Sequence, residues 1–297
     1  MATIASTGDR PTRPPGLPAD RPPSSNRYPA YAAYFDFLAQ VGKALFFVAL
    51  SLLAMIGLWW GFIKAFHLNP YFAKTPTAVW RYVTSDKTAA ANRSELWHNL
   101  GLTVRDAALG YVFGTLAALV TSVLFVLRRG IEQTFMPIAV ALRSVPLIAM
   151  TPLIALAFGR GLMAVTVIAG IVTYFPSLVN LVQGLRSAPS DAFALMESYN
   201  ASPWTVMRKV RLPCALPALF ASARIAAPGA LLGAVLAEWL ATGHGLGYLM
   251  LESVSSSRFD TLWSSVVLIT VLSFTVYAAV GLVETPVLKR FAPAQSR

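Results

Sequence analysis

Charge is scarce in this sequence. Only 12% of its 297 residues are Asp, Glu, Lys or Arg, against 56% hydrophobic, where a soluble domain carries about 25% charged residues. The shortfall excludes an ordinary water-soluble fold. It is concentrated in runs of about 20 apolar residues, long enough to cross a ~30 Å hydrocarbon core as helices. A single cysteine, Cys214, excludes an internal disulfide and offers no thiolate metal cluster. The three histidines, His67, His98 and His244, are far apart in sequence and read as loop or interface residues. No G-x-x-x-x-G-K-S/T loop is present, so no phosphate-cradling P-loop can form. Paired catalytic groups at useful spacing are also missing, which makes a membrane enzyme the weakest class. Acids are the scarcer charge, 13 against 24 bases, for a net +11. In a soluble chain that balance would suggest nucleic acid. Here it fits basic residues gathered at the cytoplasmic ends of spans, and no nucleic-acid partner is expected.

What is present is an all-α integral membrane pattern of six spans. They are expected at about Val41–Ala65, Thr103–Leu127, Phe135–Phe158, Leu162–Leu185, Leu216–Ala241 and Leu262–Val283. The first 30 residues hold seven prolines and four arginines and no apolar core, as in a solvated, disordered tail rather than a signal peptide. Between Phe66 and Leu100, Tyr71, Trp80, Tyr82 and Trp97 suit a segment lying at the membrane interface. With both termini cytoplasmic, fourteen Lys and Arg fall inside and eight outside, while Arg143 and Arg224 lie within spans. The short loops agree: Arg128-Arg129 and Arg208-Lys209-Arg211 share the cytoplasmic side.

Two rows of small residues, Gly110-Gly114-Ala118 and Gly229-Gly233-Ala237, predict close helix packing. Pro137, Pro146 and Pro152 interrupt the third span, Pro176 the fourth and Pro228 the fifth. Each removes a backbone donor and favours a kink, either static or lining a cavity.

Residues 186–213 are too polar to lie in lipid and carry dense helix punctuation. Pro189 suits a first helical position, and Asp191 lies in the first turn, where the helix dipole favours a negative charge. Ala192, Leu195, Met196 and Tyr199 share one apolar face, opposite Ala194, Glu197 and Ser198. Asn200 suits a left-handed helix end. Ser202 can cap a second helix that opens on Pro203 and is expected to end or bend at Pro213. The segment is therefore a stiff helical hairpin between two spans. It is either a rigid connector or a lever that passes force between a cytoplasmic partner and the membrane. A DNA-binding helix-turn-helix would be pinned against the bilayer.

This hairpin resembles the cytoplasmic loop of bacterial ABC importer permeases, the binding-protein-dependent transport family. Asn200 stands in the loop's glycine slot, followed by Ala201-Ser202, and Leu212-Pro213 in its terminal pair. Ala194-Leu195-Met196 occupies the usual E-A-A slot, with Glu197 one residue beyond, a departure that bears on docking and on pairing with an unlike permease. "TPTAVWRYV" (75–83), "LRSVPLIAMTPLIALAFGRG" (142–161) and "AEWLATGHGLGYLM" (237–250) resemble segments of its nitrate/sulfonate/taurine-type subfamily. The match runs from about Val41 to Arg290.

The resemblance implies a type I ABC importer permease fold at the bacterial inner membrane. It divides the chain into a tail at 1–38, the first span and external segment at 39–95, the transmembrane type-1 domain at 96–285 and a cytoplasmic tail at 286–297. It implies three kinds of partner besides lipid: ABC ATPase subunits, an external solute-binding protein and a second permease, identical or unlike. ATP and Mg would be used by the ATPase, with no cofactor on this chain. Coupling would fall to Met196, Glu197, Tyr199, Asn200, Ala201, Ser202, Trp204 and Arg208. For the path, intramembrane ionisable groups come first because burying a charge is costly. Arg143, Arg224 and Glu238 qualify, with Asn180 and Gln183 as lesser candidates. Arginine there would suit an anion such as a sulfonate or nitrate; the structural alternative is an Arg143–Glu238 or Arg224–Glu238 salt bridge. Arg105-Asp106, near the outer mouth, reads as a local pair or a water-facing feature. Two other functions stay open: an ion-coupled transporter, disfavoured by few buried acids and no internal repeat, and a scaffold that keeps only its partner-binding loop.

Overall fold

The computed structural model describes residues 50–291. The proline-rich tail, the start of the first span and the last six residues lie outside the described residues. The described chain is helical throughout and contains no strand. In order, the helices are α1 (Leu50–Ala65), α2 (Pro76–Thr84), α3 (Ala89–Leu127), α4 (Arg129–Arg143), α5 (Leu147–Phe158), α6 (Leu162–Arg186), α7 (Ser190–Ser198), α8 (Pro203–Val206), α9 (Leu212–Ala237), α10 (Gly245–Ser255) and α11 (Phe259–Phe291).

Four helices are long and apolar enough to cross a membrane: α3, α6, the α8–α9 rod that runs from Pro203 to Thr242, and α11. The expected third span is not one helix. It breaks at Ser144-Val145-Pro146 into α4 and α5, which meet at 105°. A hydropathy run carries no direction, so an apolar stretch reads straight through a bend. Pro146 supplies the cause: the residue before a proline is pushed out of the helical region, and Pro146 itself is extended at ψ 112°. Even broken, the pair leads from one end of α6 to the other. Arg129 shares a cavity with Arg186 and Arg211, whereas Arg160 precedes α6, at its other end. By length and composition the described residues thus hold four such helices, or five spans with the bent pair counted as one, and α1 is an apolar helix shorter than a full span within the described residues.

Helix α6 is the centre of the body, with α3 and α9 against it. The rows of small residues serve this contact. A Cβ on Gly110 would collide with Ala169, and one on Gly114 with Thr173 and the Gly170 carbonyl. On the other side Gly233 meets the Ala169 backbone. Val165 and Ile168 of α6, Ala230, Leu231 and Ala234 of α9 and Ile154 of α5 form the main core. By contrast, none of the most apolar window of α11 is buried, as suits a helix facing lipid or another chain. Helices α6 and α9 continue unbroken through Pro176 and Pro228.

At the end of the body away from the hairpin, the segment before α3 is folded rather than extended. Thr75 caps α2 through its hydroxyl, 3.3 Å from the Ala78 amide. Tyr82 reaches Thr261 at 2.7 Å, and Arg258 pairs with Glu95 at 3.0 Å. The hydrogen bonds it donates to Glu95 hold the Arg258 guanidinium above its ordinary pKa. Trp80 and Trp97 stay largely exposed, in line with an interfacial position.

Candidate functional site

The hairpin is built as its punctuation predicts at the turn and the second cap, but Pro189 is the extended residue that precedes α7 rather than its first helical one. Helix α7 ends at Ser198, and the Asn200 and Ala201 amides donate back to the Glu197 and Met196 carbonyls at 2.8 and 3.0 Å. Asn200 takes the left-handed conformation at φ 49°. Ser202 caps α8: its Oγ accepts from the Thr205 amide at 3.2 Å, and Pro203 fills the first helical position. Pro213 does not end this helix. A π-helical turn over Met207–Arg211 leads without a break into α9, so the hairpin's second arm and the fifth span are one rod. Pro213 falls in the first turn of α9, where its missing N–H is tolerated because the local pattern has already left the i→i−4 ladder.

The apolar face drawn from spacing is only partly covered. Leu195 and Tyr199 are 54% and 76% exposed, and Trp204 is 54% exposed. Ala192, Met196 and Ala201 are half-buried, while Glu197, Asn200, Ser202 and Arg208 are exposed. The result is a ridge of large side chains on a short hairpin, with Glu197 beside it. Helix α7 has no buried residue, so nine residues of helix exist without a core face of their own. Their support is local: the Arg211 guanidinium stacks 4.7 Å over the Phe193 ring and donates to the Leu185 carbonyl at 3.1 Å. Under the rod, buried Met207 joins Leu185 and Ala215 in a cluster that also holds Val123 and Leu127 of α3. Sequence does not single out Phe193, and it places Leu195 on the apolar face but not among the coupling residues. The signal for Leu195 was present, but helical spacing shows which residues share a face and not which way that face points.

The intramembrane candidates do not come together. Arg224 pairs with Glu284 of α11 at 3.0 Å and lies 5.0 Å over the Tyr277 ring. Glu238 is fully buried near the other end of the rod, with no arginine against it. Its Oε2 accepts from the Gly247 amide at 2.7 Å and from the Thr103 hydroxyl at 3.0 Å. The proposed arginine–Glu238 bridge is therefore wrong. Residues 224 and 238 are separated along one rod by about 21 Å at 1.5 Å per residue, so each finds a partner at its own depth. Arg143 stands exposed at the α4–α5 break and makes no ion pair among the described residues. Asn180 and Gln183 line a groove of about 390 Å³ between α6 and α9, with Ser187 and Cys214.

Around Glu238 a polar crown closes the far end. Thr103 Oγ1 also accepts from the Leu246 amide at 2.9 Å, tying α10 to α3. Gly245 sits at φ +88°, and a Cβ there would strike the Glu238 carboxylate. Fully buried Asp106 pairs with Arg105 at 2.9 Å, as the sequence suggests, and lies 3.3 Å from the His244 ring.

The family model described as "Binding-protein-dependent transport system inner membrane component" matches residues 98–289. A Haemophilus influenzae chain described as a probable ABC transporter permease protein is 33% identical over 185 residues, 62% of this chain and 76% of that one. The riboflavin transport system permease protein of Chloroflexus aurantiacus is 34% identical over 158 residues, 52% of this chain and 58% of its own. The taurine transport system permease protein of Escherichia coli is 22% identical over 225 residues, 75% of this chain and 82% of its own. The fold is similar to a chain of the inward-facing MetNI methionine ABC transporter, with TM-score 0.55 and 22% identity over 69% of this chain and 99% of that one. The match covers well over half of the sequence, including the hairpin and the spans that carry it, and the chain belongs to the family of binding-protein-dependent ABC transport permeases.

Proposed function

We propose that this chain is the membrane subunit of an ATP-driven importer in a bacterial inner membrane, with the 186–213 hairpin on the cytoplasmic side. Two permeases, identical or unlike, form the path, and an external binding protein supplies a small solute. ABC ATPase subunits use ATP and Mg, and this chain binds neither. Met196, Glu197, Tyr199, Asn200, Ala201, Ser202, Trp204 and Arg208 form the surface that docks on the ATPase. The observation that carries this reading is the exposed ridge of Leu195, Tyr199 and Trp204 on a hairpin continuous with a 40-residue rod. Large apolar groups held rigidly in water mark a docking surface, and an unbroken helix converts movement at its tip into movement of a span. Ala194 in the family's acidic slot leaves Glu197 as the one acid of the ridge.

The solute is a small molecule of the sulfonate, nitrate or taurine type. Arg224 is balanced by Glu284, so Arg143 at the helix break is the intramembrane cation left to face an anion, with Asn180 and Gln183 lower in the path. Co-purification in detergent tests the coupling role. Wild-type chain is expected to retain an ATPase subunit with ATP-hydrolysing activity, and Glu197→Arg with Tyr199→Asp to lose both while staying monodisperse. A wild-type chain that retains no ATPase overturns the proposal and leaves the hairpin a rigid connector.

A further inference from the structure

Behind the hairpin lies a cavity of about 680 Å³ that the coupling role does not use. Five segments meet there: the end of α3, the start of α4, the end of α6, the underside of α7 and the π-helical turn. Each brings a cation or a wall. Arg129, Arg186 and Arg211 line it with Gln133, and Glu132 is its single acid. Arg186 is paired with Glu132. Arg211 is held by the Leu185 carbonyl and the Phe193 ring, neither of which neutralises it. Arg129 has no ion pair among the described residues. Three guanidiniums against one carboxylate leave two positive charges facing a shared space. The fields of Arg129 and Arg186 both act on Arg211. Such an arrangement is self-repelling and gains most from an anion that several guanidiniums can fork at once, which is the geometry of phosphate recognition. The volume lies within the range of small-ligand sites. The remaining walls are apolar, Val126, Met136 and Pro137.

We propose that this cavity is a binding site for a phosphate group. The ligand is either an anionic phospholipid headgroup, whose chains lie along the apolar wall, or a soluble phosphate. Basic pockets between transmembrane helices at the membrane surface bind anionic headgroups by this chemistry. The bound phosphate bridges Arg129, Arg186 and Arg211, and so ties the start of α4 and the end of α6 to the root of the rod. It braces the hairpin from behind without occupying the exposed ridge.

Native mass spectrometry of the full chain in a neutral detergent tests this, with dioleoyl phosphatidylglycerol, dioleoyl phosphatidylcholine and inorganic phosphate titrated separately. The expected result is one phosphatidylglycerol per chain, bound in preference to phosphatidylcholine. Arg129→Gln with Arg211→Gln weakens it by about tenfold or more. Gln133→Trp, which fills the cavity at constant charge, weakens it as well. Lys209→Gln, which removes an exposed charge outside the cavity, leaves it unchanged. Binding of inorganic phosphate with the same dependence on variants, and no preference for phosphatidylglycerol, supports the site and assigns it to a soluble ligand. Should the double variant fail to fold, Arg129→Gln alone and Gln133→Trp decide. The proposal is overturned if neither probe binds above the phosphatidylcholine level, or if Lys209→Gln weakens binding as much as the cavity variants do. Surface charge, or an acidic segment of a protein partner, would then account for the arginines.

Discussion

Glu238 shows how one residue can be misplaced by sequence and still be recognised as unusual. A fully buried carboxylate costs several kcal/mol unless it is paired or well hydrogen-bonded. The expected solution was an arginine. The observed one uses backbone: the Gly247 amide and the Thr103 hydroxyl, with Gly245 at positive φ to let the turn close over the carboxylate. No period or spacing could show this, because the donor is a main-chain N–H present at every non-proline residue. The residue is thus a fastener between α3, the rod and α10. Glu238→Ala leaves the Gly247 amide buried without its acceptor, while the Thr103 hydroxyl keeps the Asn99 carbonyl at 3.2 Å, at a cost of about 2–3 kcal/mol. The apparent Tm in detergent should fall by roughly 5–10 °C. Glu238→Gln keeps the shape and an acceptor oxygen and should lose less than half as much. Equal losses for the two variants would mean that packing, and not the hydrogen bonds, holds the far end together.

At the scale of elements, the hairpin was readable and the third span was not, for one physical reason. Asn200, Ser202 and Pro203 act on backbone groups within three or four residues of themselves, so their consequences are written locally. The arginine cavity depends on segments dozens of residues apart. Pro146 announced a possible break, yet nothing local fixed the angle. Pro213 misled in the opposite sense, because a π-helical turn just before it absorbed the disruption. The local part is open to test. Asn200→Gly should keep the turn, since both residues tolerate positive φ, while Asn200→Val should cost about 1–2 kcal/mol or more. Ser202→Ala removes the cap on the Thr205 amide, at about 1 kcal/mol. Hydrogen exchange is the direct measurement. Protection at Thr205 should drop roughly fivefold in Ser202→Ala, and amides 199–206 should open in Asn200→Val but not in Asn200→Gly. Unchanged exchange in Asn200→Val would show that Phe193 and Arg211, and not the turn, define the hairpin.

For the whole molecule, the decisive property is which ends of the helices face the same side. Arg129, Arg186 and Arg211 meet around one cavity, and Arg258 meets Glu95 at the opposite end. These contacts alone require α3, the bent pair, α6, the rod and α11 to alternate in direction, whatever the number of spans before them. In the importer proposal the cavity end, where positive charges gather, is the cytoplasmic one. Cys214 is the sole cysteine, so replacing it with alanine gives a clean background for single reporters. Lys209→Cys, at the hairpin, should react with a membrane-impermeant maleimide only after the cells are permeabilised. Arg160→Cys, between α5 and α6, should react in intact cells with a permeable outer envelope. Equal labelling of both in intact cells would break the alternation, because α6 would no longer separate residue 160 from the hairpin. Labelling of Lys209→Cys alone would keep the alternation and invert the molecule. The ridge of Leu195, Tyr199 and Trp204 would then face outward, where no ATPase could reach it. The importer proposal therefore stands on the same labelling pattern as the fold.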